Sequence, residues 1–130
     1  GIDADFIRGN IDDDILIGGT TAYDANTYAN ISALESIMAE WTRTDRTFAQ
    51  RIYNISNGTS GSSSDSTYFS SRKNGNNFLI VKNVSGKNVF DDNITDTLYG
   101  DENSDWLLTN NDEGSQNDSY YSGERITDID

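Results

Sequence analysis

The chain has 130 residues and a formal net charge of -13, from 22 Asp+Glu against 9 Lys+Arg, with a sequence pI of about 4.1. Such a balance disfavours nucleic acid and anionic membrane surfaces and makes cations the natural counterpart, with a merely solvated acidic surface as the plain alternative. There is no Cys and no His, which excludes disulfides, thiolate zinc sites and imidazole bases; a metal must be held by oxygen, with calcium ahead of magnesium and manganese.

The length suits one domain. No stretch approaches the roughly 20 apolar residues of a membrane span, and no signal peptide is legible at the N-terminus. A start at Gly1 rather than Met is read as the mark of a domain cut from a longer protein, or of a tag remnant.

The first residues are repetitive. In a frame of nine, "GIDADFIR" aligns with "GNIDDDILI", so that Asp5 matches Asp14, Phe6 matches Ile15 and Ile7 matches Leu16; Gly18-Gly19 then opens a further turn. Each unit is a Gly/Asn/Asp-rich half that ends in aspartate, followed by x-aliphatic-x. This is the pattern of a turn and a short strand with one residue pointing inward.

From Asp24 the pattern changes. Ile31, Leu34, Met38 and Trp41 recur at spacings of three and four, which predicts an amphipathic helix with Asp24 as N-cap and these four residues on its core face. A second, shorter helix is predicted with Phe48, Ile52 and Ile55 on one face and Thr44 or Asp45 as its cap. "SNGTSGSSSDS", Ser56 to Ser66, is a low-complexity loop that cannot bury enough apolar area to order itself. "NNFLIVKNV" reads as a buried strand, and "SGKN" as a turn into Val89-Phe90, which predicts a β-hairpin.

The spacing of nine returns in "DDNITDTLYGDENSDWLLT", where Asp96 matches Asp105, Leu98 matches Leu107 and Asp91 matches Gly100. It is lost in "TNNDEGSQNDSYYSGE", which is read as a solvated loop in preference to another ion-binding turn through Asp112. A strand-like stretch closes the chain, with Asp128 and Asp130 flanking Ile129. Asn-x-Ser/Thr triplets occur at Asn30, Asn54, Asn57, Asn83, Asn93 and Asn117, and chance accounts for them in a chain this rich in Asn, Ser and Thr.

The two blocks resemble the calcium-binding nonapeptide G-G-x-G-x-D-x-U-x of RTX (hemolysin-type) proteins, U being large and aliphatic. The consensus aspartate falls on Asp5, Asp14, Asp96 and Asp105, and U on Ile7, Leu16, Leu98 and Leu107. Glycine stands first at Gly9, Gly18 and Gly100. The second position holds Asn10 and Asp101, and the fourth holds Asp3, Asp12, Ile94 and Asn103; Asn and Asp tolerate a positive φ, whereas Ile94 does not. Over most of its length the chain is similar to a C-terminal module of large extracellular bacterial proteins.

The resemblance implies an α+β fold: a short, irregular parallel β-roll made of two separated repeat blocks, with helices and a hairpin inserted. Its parts are residues 1-23, the insertion 24-90 and residues 91-130, together forming one calcium-binding domain. Turns two repeats apart stack along one edge with calcium between them, bound by carboxylates and backbone carbonyls. The turn from Gly1 to Asp5 then lies over the one starting at Gly18-Gly19, and Gly9–Asp14 lies on the opposite edge over a turn of the second block. The implied metal ligands are Asp5, Asp14, Asp96 and Asp105, then Asp3, Asp12 and Asn103, with Asp101 and Asp24 added. The cofactor is Ca2+.

The function expected is a calcium-stabilised folding module of a secreted or cell-surface bacterial protein, exported by type I secretion. The alternative is a calcium-dependent adhesive or carbohydrate-binding module with Tyr68, Tyr99, Tyr120 and Tyr121 as its stacking surface. Catalysis is not expected, because the carboxylates sit in ion-binding turns and no nucleophile–base pair is available without His or Cys. The expected partners are calcium ions and a carbohydrate or protein ligand, without nucleic acid or membrane insertion. Self-association through the open end of the roll is a further candidate, because a roll end is an unpaired sheet edge.

Overall fold

Runs of two to four residues between turn-formers make only short strands, and the described residues form eight of them with two helices between the third and fourth. A computed structural model describes residues 1–56, 71–81, 85–111, 116–122 and 125–129. Most of the Ser/Gly-rich stretch, together with Asp112 and Asp130, lies outside the described residues. The fold is α+β, with both parallel and antiparallel strands and, among the described residues, no closed barrel.

The strands are β1 (Phe6–Arg8), β2 (Ile15–Ile17), β3 (Thr20–Thr21), β4 (Val89–Phe90), β5 (Thr97–Tyr99), β6 (Trp106–Thr109), β7 (Ser119–Tyr121) and β8 (Arg125–Asp128). One parallel sheet has the order β1-β5-β7 and a second the order β2-β6-β8. The chain crosses from the first sheet to the second three times, through β1–β2, β5–β6 and β7–β8. In register, Ile7 lies beside Leu98, and Leu16 beside Leu107 and thus Ile126. The aliphatic position of the repeat fills the core, where buried Leu16, Leu98 and Leu107 pack with Ile7 and Ile126.

By its contacts the chain divides into two units, Gly1–Thr21 with Val81–Asp130, and Ala22–Ile80. In the first, the antiparallel pair β3–β4 sets Thr20 against Phe90 and Thr21 against Val89. Val89-Phe90 is therefore a strand as expected, and its described partner β3 lies before the insertion; residues 82–84 of the expected hairpin lie outside the described residues.

The second unit holds α1 (Tyr28–Trp41) and α2 (Phe48–Ile55). Thr27, not Asp24, caps α1: its side chain accepts from the Asn30 backbone N–H at 3.2 Å. Thr47 caps α2, and Gln50 reciprocates to the Thr47 N–H in a capping box. Asp45, an expected cap, instead receives Arg43 at 2.7 Å and Arg46 at 3.1 Å.

The predicted face of α1 is corrected. Ala33, Ile37, Glu40 and Trp41 are buried, whereas Ile31, Leu34 and Met38 are exposed. The helix carries two apolar stripes, and the one used places Glu40 in the interior. There its carboxylate accepts from Asn54 Nδ2 at 2.6 Å, from the Lys73 backbone N–H at 2.7 Å and from Arg43 Nη1 at 3.1 Å. On α2, Ile55 is buried with Arg51 and Asn54, and Phe48 and Ile52 are half-buried.

Residues 76–81 are not a strand. Their buried Phe78 and Leu79 fit the expected apolar content, but side chains and a helix end take up the backbone: Phe78 N–H donates to Tyr23 Oη and Leu79 N–H to the Ile55 carbonyl. No described helix is long and apolar enough to cross a membrane.

Candidate metal centre

The repeat aspartates form ladders along two edges of the sheets. On the edge leading into β1, β5 and β7, Asp5 N–H donates to Asp96 Oδ1 at 2.7 Å, and Asp96 N–H donates to Asp118 Oδ1 at 2.8 Å. On the other edge, between the sheets, Asp14 N–H donates to Asp105 Oδ1 at 3.0 Å. Each rung fixes one carboxylate oxygen and leaves the second to find a partner.

For three of these aspartates no such partner is found among the described residues. Oδ2 of Asp14, Asp96 and Asp105 is buried and accepts no hydrogen bond from the described residues, and the same holds for Asp91 Oδ1 and Asp92 Oδ2. Asp96 and Asp105 are completely buried. Leaving a carboxylate oxygen unpaired in the interior costs several times what an ordinary hydrogen bond contributes.

The electrostatics agree. Burial, then the charges of Asp12 and Asp13, pushes the Asp14 carboxyl above the usual range. Asp105 is raised by burial and by Asp14, Asp13 and Asp101, against the lowering effect of the Asp14 N–H bond. Asp96 is raised by burial and by Asp118, Asp92 and Asp5, against the bond from Asp5 N–H.

The turns are built to bring these groups together. Asn10 and Asp12 have φ of 75° and 83°, and Asp101 and Asn103 have 69° and 77°. The second and fourth positions thus take the left-handed conformation that the consensus assigns to glycine. In the turn before β5, Asn93 (φ 63°) does so in place of the unsuitable Ile94.

At the first position glycine is required by close approach. A Cβ on Gly9 would lie 2.7 Å from Asp14 Oδ2 and 2.9 Å from the Gly100 carbonyl, and one on Gly100 would lie 2.5 Å from Asp105 Oδ2. Turn stacks on turn through Glu102 N–H to the Asn10 carbonyl at 3.0 Å and Ser104 N–H to Asp13 Oδ1 at 3.1 Å. The expected pairing of Gly1–Asp5 with the turn at Gly18-Gly19 is also present, the N-terminal ammonium donating to the Gly19 carbonyl at 2.8 Å.

The other expected ligands are placed differently. Asp3, Asp12 and Asn103 are exposed in their turns. Asp5 is part-exposed and lies 3.4 Å from the N-terminal ammonium. Asp101 accepts from Arg8, with Nη2 at 3.0 Å, and this pairing holds its carboxyl below the usual range. Asp24 is exposed in the other unit, ahead of α1.

Asp118 was not among the expected ligands. The run from Thr109, expected as a loop, contains β7, and its turn ends in Asp118-Ser119-Tyr120, the same Asp-x-apolar signature at a longer spacing. Asp118 Oδ2 accepts from Thr109 Oγ1 at 2.8 Å and the Asn110 N–H at 2.9 Å, so this rung is satisfied by its own turn.

Among the described residues no three Asp or Glu side chains form a metal-binding group. A cation would therefore draw on carboxylates in pairs, with backbone carbonyls completing the shell. Calcium, which takes six to eight oxygens of mixed origin, fits that donor set better than small octahedral magnesium. Compared with family models, with curated proteins and with solved structures, the chain matches none.

Proposed function

We propose that the chain is a calcium-binding, calcium-stabilised folding module of the RTX type, its two parallel sheets being a short β-roll. It serves an exported bacterial protein at the cell surface or beyond, only weakly stable where calcium is scarce and stabilised where it is plentiful. The observation that carries the reading is the set of buried, unpartnered Oδ2 atoms of Asp14, Asp96 and Asp105 inside turns of repeat geometry. An ion converts their mutual repulsion into attraction, and because only the folded chain assembles the site, binding adds RT ln(1+[L]/Kd) to stability. A Kd of roughly 10⁻⁴ to 10⁻³ M would suit an extracellular module.

An adhesive, sugar-binding role has one feature in its favour, the row Phe6, Tyr99 and Tyr121, exposed at Phe6 and Tyr121 and half-buried at Tyr99; Tyr68 lies outside the described residues. Tyr99 and Tyr121, however, stack on one another at 4.5 Å and 11°, so each ring covers a face that a sugar would need. The folding module is the stronger reading.

The test is a calcium titration of chelator-treated protein followed by far-UV circular dichroism and thermal melting, with magnesium and sodium chloride in parallel. A steep, calcium-specific rise in structure and Tm is expected. Equal stabilisation by sodium would overturn the reading in favour of a halophile-like acidic surface.

A further inference from the structure

The turn that carries Asp96 is made of two pieces of chain. Gly18-Gly19 leave β2 as its first half, the chain then departs through β3 to the unit Ala22–Ile80, returns through β4, and Asp91–Asp96 supply the rest before β5. The halves meet where their oxygens do. The space beside the Gly18 Cα is filled by Asp118 Oδ2, 2.8 Å from where a Cβ would stand, and by Asp96 Oδ2 at 3.3 Å. Asp91 Oδ1 and Asp92 Oδ2, on the returning half, are also buried without a partner among the described residues, while Asp91 Oδ2 accepts from Asn110 Nδ2 at 2.8 Å. Asp96 itself is completely buried.

Two backbone pairs in β3–β4 are all that the ladder offers to hold this stem, and a two-stranded ribbon of that length is marginal alone. We propose that a divalent cation, calcium on the reading above, binds at the divided turn through the carboxylate pair Asp96 and Asp92, with backbone carbonyls completing its shell, and staples the two ends of the insertion. The inference rests on the calcium reading and assigns a particular task to one of its sites. The ion closes the excursion from Thr20 to Phe90 as a loop, so ordering of the stem becomes linked to calcium. The opposite edge, with Asp14 and Asp105 in two uninterrupted turns, carries no such link.

Hydrogen exchange read by mass spectrometry, with and without calcium, separates the two edges. In the wild type and in Asp105→Asn, calcium at about a hundredfold excess over Kd should slow exchange at Thr20, Thr21, Val89 and Phe90 by about 10- to 100-fold. In Asp96→Asn that slowing should vanish while β2 and β6 still gain protection. Asp92→Asn, which alters a half-buried group, serves where Asp96→Asn does not fold. Calcium protection of β2 and β6 without the stem, or equal protection of the stem in the Asp96→Asn and Asp92→Asn proteins, overturns this inference alone. No calcium protection anywhere in the wild type overturns the calcium reading with it.

Discussion

Glu40 and Asp105 are both completely buried carboxylates, and they are treated in opposite ways. Around Glu40 the helical unit supplies an amide, a backbone N–H and a guanidinium, covering both oxygens. Around Asp105 the repeat unit supplies one backbone N–H and then more aspartates, leaving Oδ2 unpartnered. The first is a closed network whose role ends with folding. The second is left open among the described residues, and it is where the proposed calcium would bind.

The sharpest way to break this comparison is to damage the closed network. Glu40→Ala should cost about 3 kcal/mol or more, because it leaves the Asn54 amide and the Lys73 N–H without their acceptor and empties a buried site, and urea unfolding should report the same loss with calcium or chelator. Next in size is removal of the ion. At a hundredfold excess over Kd each calcium should contribute about 2.7 kcal/mol, so chelation should lower Tm by about 10 °C per ion at roughly 4 °C per kcal/mol.

Asp105→Asn sharpens the contrast further. It should lose one such increment in calcium yet gain on the order of 1 kcal/mol in chelator, the size of one relieved carboxylate repulsion. A loss in both conditions would class Asp105 with Glu40.

The pH dependence should change sign with the ion. The folded-state carboxyls of Asp14, Asp96 and Asp105 titrate above their unfolded values. In chelator the folded form therefore takes up protons first, and Tm should rise as pH falls from neutrality through those raised values and fall again as pH climbs back through them. With calcium bound, protons compete with the metal and acid should lower Tm. Asp45, held at about 2 by Arg43, is lost only at still lower pH and does not disturb that window. The smallest effect should be Thr47→Ala, which removes the α2 cap for about 1 kcal/mol, equally with and without calcium.

How much could be read from the sequence follows from how local each cause is. The turns are legible because Asn10, Asp12, Asp101 and Asn103 adopt their conformation from their own side-chain chemistry, and the spacing of nine sets which turns stack. The inner stripe of α1 is not, because Ile31–Met38 and Ala33–Ile37 are equally helical patterns and only Asn54 and Lys73, distant in sequence, make room for Glu40. Residues 76–81 carry the apolar content of a strand, but their backbone partners are Tyr23 and the end of α2. The third crossing hid for a simpler reason: its turn is longer, so a fixed period misses Asp118.

The aspartate ladder also has a direction. Asp5 N–H donates to the Asp96 carboxylate and Asp96 N–H to that of Asp118, whereas among the described residues the other Asp118 oxygen accepts from Thr109 and Asn110, close to it in the chain. The last carboxylate is thus held by its neighbours in the chain, and the expected order of assembly, from the C-terminal coil back toward Gly1, is one that pulsed hydrogen exchange would read. A chain cut short before Asn110 would keep every repeat that the nonapeptide spacing reveals and lack the seed on which they crystallise into order.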